Sequence, residues 1–328
     1  MNTRTPLVSV VIATYNRPDY LRRALASVVN GNYRNVQIVV ADDCGSVANR
    51  EIAASFDDPR IVCHRHATNV GMAANHIHAL RELVSGEFVA ILNDDDEWEP
   101  SFLSRLTPHL IDDSNVVIAF SDHHVMNEHG RIDPVLSDAN THRWRRDLLA
   151  PGTHRPFWRC LLEKTIPIAQ ASVIRRGAID WHDFPTATGS AYDQWIGYLA
   201  CRTGMACYYL PERLTRYRVH ENAVTATPSA DGATGMILMY DRLLAMPELA
   251  HLRSQIERRC GKAHLVRGRL LLQSGQAAQA RAELRRAAAL AGLTPKLALA
   301  YMLAHLPGAF GGRVLRTLGA ARGDRQPA

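Results

Sequence analysis

Short apolar runs that alternate with helix-length segments constrain the fold of this 328-residue chain more than any other feature. Strand-length runs occupy residues 7–13, 36–41, 60–66, 88–92 and 115–121. Between them, the segment from Pro18 to Gly31 and residues 69–85 have the apolar spacing of helices. Strands and helices in this order form βαβ units around a mostly parallel sheet, so the first part of the chain is predicted to be α/β.

Polar residues follow three of these runs directly. They are residues 14–16, then Asp42 and Asp43, and then residues 93–96. Neighbouring parallel strands would bring these clusters to one edge of the sheet, where α/β proteins bind ligands. Three consecutive aspartates repel one another, and Mg²⁺ or Mn²⁺ would relieve that repulsion. The alternative is an acidic turn that caps the following helix.

The second part of the chain has a less regular pattern. Residues 131–156 have the composition of a loop or mobile linker, and residues 221–235 have that of a flexible loop. Between them, residues 166–176 are predicted to be extended, residues 191–204 to form a helix and residues 207–220 to form a strand. Residues 261–273 and 276–290 are predicted to form a helical hairpin. A mainly apolar segment, residues 295–309, precedes a basic tail.

Charge is divided unevenly along the chain. Residues 251–328 hold fourteen Lys and Arg against three Asp and Glu, a net charge of +11, whereas the whole chain carries +6. The apolar segment and its arginines either cover the core of their own domain or rest on an anionic membrane surface. DNA or RNA binding is not expected, because residues 1–250 carry −5.

Composition excludes several other classes. The six cysteines are scattered without a C-x-x-C pair, which argues against a disulfide framework or a zinc site. The N-terminus lacks the pattern of a secretory signal, and no apolar stretch has the length of a transmembrane helix. A cytoplasmic protein, soluble or peripheral on the inner face of the membrane, is expected. The histidine pairs 64/66, 76/78 and 123/124 lack the spacing and partners expected of a metal site and are interpreted as surface or capping residues.

The chain carries four segments in this order: VSVVIATYNRPDYLRRALASV, IVVADDCGS, NVGMAANHI and GEFVAILNDDDEWEP. In this order and spacing they resemble the family 2 glycosyltransferases, inverting enzymes of the GT-A fold that use nucleotide sugars. The resemblance covers about residues 7–125 and continues more weakly to about 222. It implies a Rossmann-like, mostly parallel sheet flanked by helices, with an α-helical C-terminal extension. Residues 1–125 would be the nucleotide-sugar-binding half of the GT-A domain, 126–232 the acceptor-binding half with a lid loop, and 233–328 the helical region.

The resemblance assigns roles to individual residues. Donor binding falls to Ala13, Thr14, Tyr15, Asn16, Arg17, Asp42, Asp43, Asn69, Gly71, Asn75, Asn93 and Asp94. Asp43 is placed to accept a hydrogen bond from uracil, which favours a UDP-sugar. The ligands for Mn²⁺ or Mg²⁺ are Asp95 and His220, and either Asn93 with Asp94 or Asp94 with Asp96 completes the site.

Asp193 occupies the position of the general base that removes the proton of the acceptor hydroxyl; the alternative is an aspartate that favours a helix start. Asp122 is a weaker candidate for the acceptor site. Arg216 and Arg218 either reach phosphate or are solvated charges on a strand. The predicted activity is inverting, metal-assisted transfer of a sugar to a hydroxyl of a saccharide, lipid-linked glycan or small metabolite. A nucleotidyltransferase fits less well, since no Gly-rich basic loop follows the first strand. The non-enzymatic alternative is an inactive nucleotide-sugar-binding scaffold that acts through its helical tail.

Overall fold

The computed structural model of the chain describes residues 5–220, 228–306 and 310–321. It divides into two compact units. The first comprises Met1–Thr186 and Ile196–His220, and the second comprises Ala187–Trp195 and Glu221–Ala328.

The first unit is built on one mixed sheet. Its strands are β1 (Val8–Thr14), β2 (Val36–Asp42), β3 (Ile61–Arg65), β4 (Phe88–Asn93), β5 (Glu97–Trp98), β6 (Val116–Met126), β7 (Ile132–Asp133), β8 (Gly152–His154), β9 (Ser172–Arg175) and β10 (Ala206–Arg218). Along the sheet they follow the order β3-β2-β1-β4-β9-β6-β10-β5, with β7 beside β6 and β8 beside β10.

The parallel part of the sheet agrees with the sequence prediction. Strands β3, β2, β1 and β4 are all parallel, and β1, β2 and β4 are nearly completely buried. Runs of Val and Ile suit strands that are covered on both faces. The helices that accompany this part are α1 (Pro18–Val29), α2 (Val47–Ser55), α3 (Met72–His78) and α4 (Phe102–Asp112). Helix α1 begins with Pro18, as predicted, and buries Leu21, Leu25 and Val28 against the sheet core.

Strand β9 interrupts the parallel order. It pairs antiparallel with β4 on one side and antiparallel with β6 on the other. Residues 166–176 were predicted to be extended throughout, but a helical turn, Ile168–Ala171, precedes the strand. The mixed sheet, its helices and the C-terminal helices confirm the predicted α/β class.

Two segments of the first unit differ from the prediction. The segment 131–156, predicted to be a loop or linker, contains the helix α5 (Pro134–Arg143), which Asp133 caps by accepting a hydrogen bond from the amide of Leu136. Strand β6 continues to Met126 rather than ending at residue 121, because its polar residues are paired inside the protein. The remaining helices that begin before residue 200 are α6 (Trp158–Glu163), α7 (Ile168–Ala171) and α8 (Tyr192–Arg202).

The second unit is helical. It contains α9 (Ala230–Leu244), α10 (Arg253–Gln273), α11 (Ala277–Ala291), α12 (Pro295–Leu303) and α13 (Phe310–Ala321). The predicted hairpin corresponds to α10 and α11 and is confirmed. Helix α9 begins at Ala230, inside the segment predicted to be a flexible loop; residues 221–227 of that segment lie outside the described residues.

The apolar segment at residues 295–309 contributes to the core of the second unit. Leu297, Ala300 and Leu303 of α12 are buried with side chains of α10 and α11. The interpretation that this segment covers the core of its own domain is thereby confirmed, while Arg313 and Arg316 of α13 are exposed. Among the described residues, no helix combines the length and apolar character needed to cross a membrane.

Candidate functional site

The polar strand ends meet at one edge of the sheet, as the sequence predicted. Register pairs Thr14 of β1 with Asp42 of β2, and Ala13 of β1 with Asn93 of β4. A crevice at the carboxyl ends of parallel strands is the usual ligand site of an α/β sheet. The residues just beyond these pairs therefore form the candidate site.

Arg17 lies between two of the three aspartates. Its guanidinium Nη1 is 3.3 Å from Oδ1 of Asp94 and 3.0 Å from Oδ2 of Asp95. Thr14 donates its hydroxyl to the other oxygen of Asp94, at 2.8 Å. The cation thus offsets part of the repulsion between the two carboxylates.

His220 joins the same cluster from the end of β10. Its Nε2 atom is 3.0 Å from Oδ2 of Asp95, and its side chain is only 3% exposed. The Tyr20 ring lies 5.1 Å from the imidazole, centroid to centroid, and the guanidinium carbon of Arg218 lies 5.3 Å from the centroid of Tyr20. The Tyr20 ring thus packs against the imidazole that contacts Asp95.

Asp96 supports the turn through both of its carboxylate oxygens. One of its oxygens accepts the backbone N–H of Arg218 at 2.8 Å, and the other accepts Nδ2 of Asn93 at 3.1 Å. The buried guanidinium of Arg218 donates to the carbonyl of Asp95 at 2.7 Å and to the carboxylate of Glu97. Arg218 is therefore neither a solvated strand charge nor a free phosphate ligand, in contrast to both predicted alternatives.

Electrostatics distinguish the aspartates. Burial, together with the neighbouring Asp95, raises the pKa of Asp94 to about 6, although Arg17 and Thr14 oppose the shift. Burial and Asp95 also raise the pKa of Asp96 well above its usual range. A site that resists accumulating negative charge in this way is one that a cation would stabilise.

The residue types suit a hard divalent cation, although Asp94, Asp95 and His220 do not bring three ligating atoms within 4.8 Å of one another. Asp94 and Asp95 already share one cation, the guanidinium of Arg17, and the imidazole of His220 contacts the same oxygen of Asp95 as Arg17 does. Two carboxylates and an imidazole are ligand types that suit Mn²⁺, and the carboxylates suit Mg²⁺. Because both oxygens of Asp96 accept hydrogen bonds from Asn93 and Arg218, Asp94 is better placed than Asp96 to act with Asp95 as a metal ligand.

At the end of β2, Asp42 and Asp43 are both buried and both accept hydrogen bonds from backbone amides. Asp43 accepts the amide N–H groups of Val70 at 2.7 Å and Gly71 at 2.9 Å. Asp42 accepts the amide of Gly45 at 2.9 Å and the side chain of Asn49 at 3.1 Å. Each carboxylate oxygen has a second lone pair, so Asp43 retains capacity for a ligand.

The turn after β2 needs a glycine. A Cβ on Gly45 would lie 2.6 Å from Oδ1 of Asp42 and 3.1 Å from the backbone nitrogen of Asn16. The amide oxygen of Asn16 accepts the N–H of Ser46 at 2.8 Å. The turns after β1 and β2 are thus packed directly against each other.

The remaining predicted donor residues lie around these turns. Tyr15 and Asn69 are exposed, Ala13 is half-buried, and Gly71 has a φ of 87° in open space. Asn75 is buried: its Nδ2 donates to the carbonyl of Ala41 at 2.8 Å, and its Oδ1 contacts His66. The donor roles of these residues stay predictions.

Asp193 lies near the start of α8 and belongs to the second unit. Its Oδ1 accepts the backbone N–H of Gln194 at 2.7 Å. An acidic residue in the first turn of a helix is favoured by the helix dipole. Its role as the base stays a prediction.

Sequence reasoning missed a buried ion pair within the first unit. Nε of Arg146 donates to Oδ1 of Asp122 at 2.7 Å, and Thr141 donates to Oδ2 at 2.6 Å. Burial opposes ionisation of Asp122, yet Arg146 and the hydrogen bond from Thr141 hold its pKa below the usual range. No sequence motif could reveal this pair, because Arg146 lies in the segment predicted to be a linker.

A cavity of about 660 Å³ lies beside this ion pair. Its lining includes Asp122, Thr141, Arg146, Tyr209 and Arg213. A cavity lined by hydroxyls, charges and an aromatic ring can hold a polar ligand such as a sugar.

The histidine pairs are not simply surface or capping residues. His76 and His123 are buried, and burial lowers the pKa of His76 to about 4 and that of His123 to about 3. Three further histidines, 64, 66 and 78, form a cluster of their own. The interpretation as surface or capping residues was therefore wrong for His76 and His123.

The model of the family described as Glycosyl transferase family 2 matches residues 9–179 of the chain. The chain belongs to this family. The match begins in β1 and ends after β9, so it includes the three polar strand ends.

Curated relatives match this family 2 chain over part of their length. The UDP-Glc:alpha-D-GlcNAc-diphosphoundecaprenol beta-1,3-glucosyltransferase WfaP of Escherichia coli is 28% identical over 119 residues, which cover 36% of this chain and 47% of WfaP. The uncharacterized glycosyltransferase RT0329 of Rickettsia typhi is 25% identical over 230 residues, which cover 69% of this chain and 68% of the relative. The match to the Escherichia coli protein WcaA, 33% identical, spans only 38% of that protein's length.

Solved structures share the fold. Residues 1–349 of Staphylococcus aureus TarS in complex with UDP-GlcNAc superpose with a TM-score of 0.66 at 16% identity, covering 98% of this chain and 93% of that one. The mannosyltransferase PcManGT of Pyrobaculum calidifontis, in complex with GDP-Man and Mn²⁺, gives 0.58 at 18% identity, with coverages of 98% and 85%. The predicted GT-A fold is confirmed.

Proposed function

We propose that this family 2 chain is an inverting glycosyltransferase that moves a sugar from a nucleoside diphosphate, UDP in preference, to a hydroxyl acceptor. The observation that carries the proposal is the convergence of Asp94, Asp95, Arg17 and His220 at the ends of β1, β4 and β10. A diphosphate needs positive charge and a cation site at one place, and these residues would supply both.

Donor binding uses the two sides of the crevice. Asp43 would accept a hydrogen bond from the uracil N–H, and Arg17 would turn from the aspartates towards the diphosphate. Mn²⁺ or Mg²⁺ held by Asp95 and His220, with Asp94 beside them, would stabilise negative charge on the departing diphosphate. UDP-Glc in the name of WfaP and UDP-GlcNAc bound to TarS support a uridine donor, whereas GDP-Man bound to PcManGT keeps guanosine as the alternative.

Transfer with inversion needs a base for the acceptor hydroxyl. Asp193 is the proposed base, because a carboxylate with an ordinary pKa of about 3.9 is ionised at neutral pH and can take a proton in the transition state. The cavity beside Asp122 and Arg146 is the proposed acceptor pocket, and its polar lining suits a saccharide. Cytoplasmic location and contact of the exposed C-terminal arginines with an anionic membrane surface belong to the same proposal.

The test begins with a thermal-shift screen of UDP-, GDP- and dTDP-sugars, each with and without Mn²⁺. A bound donor raises the apparent melting temperature, and the increase should require the cation. The selected donor is then incubated with the protein, and release of the nucleoside diphosphate is followed, since glycosyltransferases leak sugar to water.

The outcomes separate the proposal from its alternative. Cation-dependent binding with release of the diphosphate supports a transferase. Cation-dependent binding without release, either alone or with saccharide acceptors, would favour the inactive binding or scaffold protein. If the protein binds no nucleotide sugar, both the transferase and the inactive binding protein are ruled out.

A further inference from the structure

Three histidine rings of the first unit lie close together beside the edge strand β3, in edge-on and tilted contacts. His64 belongs to β3 and His66 follows directly after that strand, so their spacing of two places both side chains on one face. His78 is the last residue of α3. The ring centroids are 5.0 Å apart for 64 and 66, 4.7 Å for 64 and 78, and 5.0 Å for 66 and 78.

One ligating atom from each of these histidines lies within 4.8 Å of the other two. Across the described parts of the chain, theirs is the only group of three or more His, Cys, Asp or Glu side chains that is so close. A zinc–imidazole bond is about 2.0–2.1 Å long, so tetrahedral ligand nitrogens lie roughly 3.4 Å apart. All three side chains are half-buried rather than locked in the core, and small rotations would bring them to that distance.

Hydrogen bonding prepares one of the rings for ligation. Nε2 of His66 is 3.1 Å from Oδ1 of Asn75, whose Nδ2 donates to the carbonyl of Ala41. Since the oxygen of Asn75 faces the ring, Nε2 carries the proton and Nδ1 is left with its lone pair. Metal-binding histidines are commonly held this way, with the other ring nitrogen donating to an oxygen.

The ring of His78 has a buried nitrogen, Nε2, without a hydrogen-bond partner in the described part of the chain. An unsatisfied buried ring nitrogen beside two more imidazoles is the arrangement that a metal ion would complete.

We propose that His64, His66 and His78 form a site for Zn²⁺ or another divalent transition metal that prefers imidazole ligands. Three protein nitrogens leave a fourth position for water, and the chemistry differs from the oxygen-rich set around Asp95. The bound ion would tie the edge strand β3 to α3. The segment between them includes Val70 and Gly71, whose amides hold Asp43, so the ion would stabilise that side of the crevice.

The experiment uses the full chain without a histidine tag, treated with EDTA and then freed of it. Titration with Zn²⁺ by calorimetry should give a site of one ion per chain, and Zn²⁺ should raise the melting temperature. His64→Gln and His78→Gln should each weaken this site by more than about tenfold, since losing even an outer partner of a metal ligand costs that much. His129→Gln, which changes a highly exposed histidine of the same unit, is the matched control and should bind Zn²⁺ as the parent does.

A second variant distinguishes this site from the aspartate cluster. Asp95→Asn should keep the Zn²⁺ site, because it shares no residue with the three histidines. If Asp95→Asn removes Zn²⁺ binding while His64→Gln and His78→Gln retain it, the ion binds among the aspartates and the proposal is overturned. Circular dichroism of each variant checks that it is folded, and unchanged Zn²⁺ affinity in folded His64→Gln alone would also overturn it.

Discussion

Nε2 of His220 lies 3.0 Å from Oδ2 of Asp95, although 125 residues separate them along the chain. The contact joins the end of β10 to the turn after β4, so residues from both ends of the first unit share one charged cluster. This pair connects the sequence motif of the first half to the late histidine.

A double-mutant cycle tests whether the pair acts as one unit. Asp95→Asn and His220→Gln should each weaken UDP binding in the presence of Mn²⁺, and the double variant should lose less than the sum. The expected coupling is about 0.5–3 kcal/mol, as for residues in one network. Isothermal calorimetry with and without Mn²⁺ measures it, and Asp112→Asn, at an exposed position of α4, is the control. If Asp95→Asn binds UDP with Mn²⁺ as the parent does, the metal assignment is wrong.

Arg17 competes with a divalent cation for the same carboxylates. Arg17→Met should therefore bind Mn²⁺ alone more tightly than the parent, because the guanidinium no longer neutralises Asp94 and Asp95. UDP should bind more weakly, because a phosphate ligand has been lost. Opposite changes in the two affinities are the expected signature, and a parallel loss of both would contradict it.

Stability should depend on pH through Asp94. Its pKa in the folded protein, about 6, lies above the ordinary value of 3.8, so the folded state holds its proton to higher pH than the unfolded state. This contribution to stability is complete below about pH 4 and disappears as the pH rises through 6, a change of up to about 3 kcal/mol. In EDTA, urea unfolding between pH 4 and 7.5 should show Asp94→Asn gaining stability relative to the parent as pH rises. A difference that does not vary with pH would contradict the assignment.

Asp193→Asn separates binding from chemistry. The variant should bind the donor normally and transfer sugar more slowly by a factor of roughly a hundred or more, because an amide cannot accept the acceptor's proton. Calorimetry measures the donor affinity, and release of the nucleoside diphosphate with acceptor present measures the rate. Transfer at the parental rate would place the base elsewhere.

Gly86 allows the chain to enter β4 beside β1. A Cβ there would lie 2.6 Å from the amide nitrogen of Ser9 and 2.7 Å from the carbonyl oxygens of Leu7 and Phe88. These contacts are with backbone, which cannot rotate away, so Gly86→Ala should cost about 1–3 kcal/mol or more of unfolding free energy. Gly177→Ala, where a Cβ would meet nothing within 4 Å, should stay near the parent in the same denaturation experiment.

Local sequence pattern was sufficient for the parallel part of the fold. The apolar runs 36–41 and 88–92 form strands as predicted, since both faces of these strands are covered. The polar residues that follow them lie together because the parallel register places the ends of β1, β2 and β4 side by side. Strand β6 was cut short because Asp122 and His123 are typical of loops. Their partners, Arg146 and Gln170, lie 24 and 47 residues away, and pairing over such distances leaves no local signal.

The candidate site was predictable to a similar extent. The clustering of Thr14, Asp42 and Asn93 could be predicted from the parallel topology alone. The different partners of Asp94 and Asp96 could not be predicted, because side-chain direction in a turn does not follow a regular period as it does in a strand or helix. The histidine cluster was missed because it combines a strand spacing of two with a helix residue fourteen positions after His64.

The position of β9 has a consequence for how the protein is made. Strands β4 and β6 are complete by residue 126, yet the strand that lies between them arrives only with residues 172–175. A nascent chain that has left the ribosome up to residue 126 carries two apolar strands with unpaired backbone edges, which are prone to pair with other chains. Until some fifty further residues are synthesised, protection from aggregation has to come from chaperones or from the speed of translation itself.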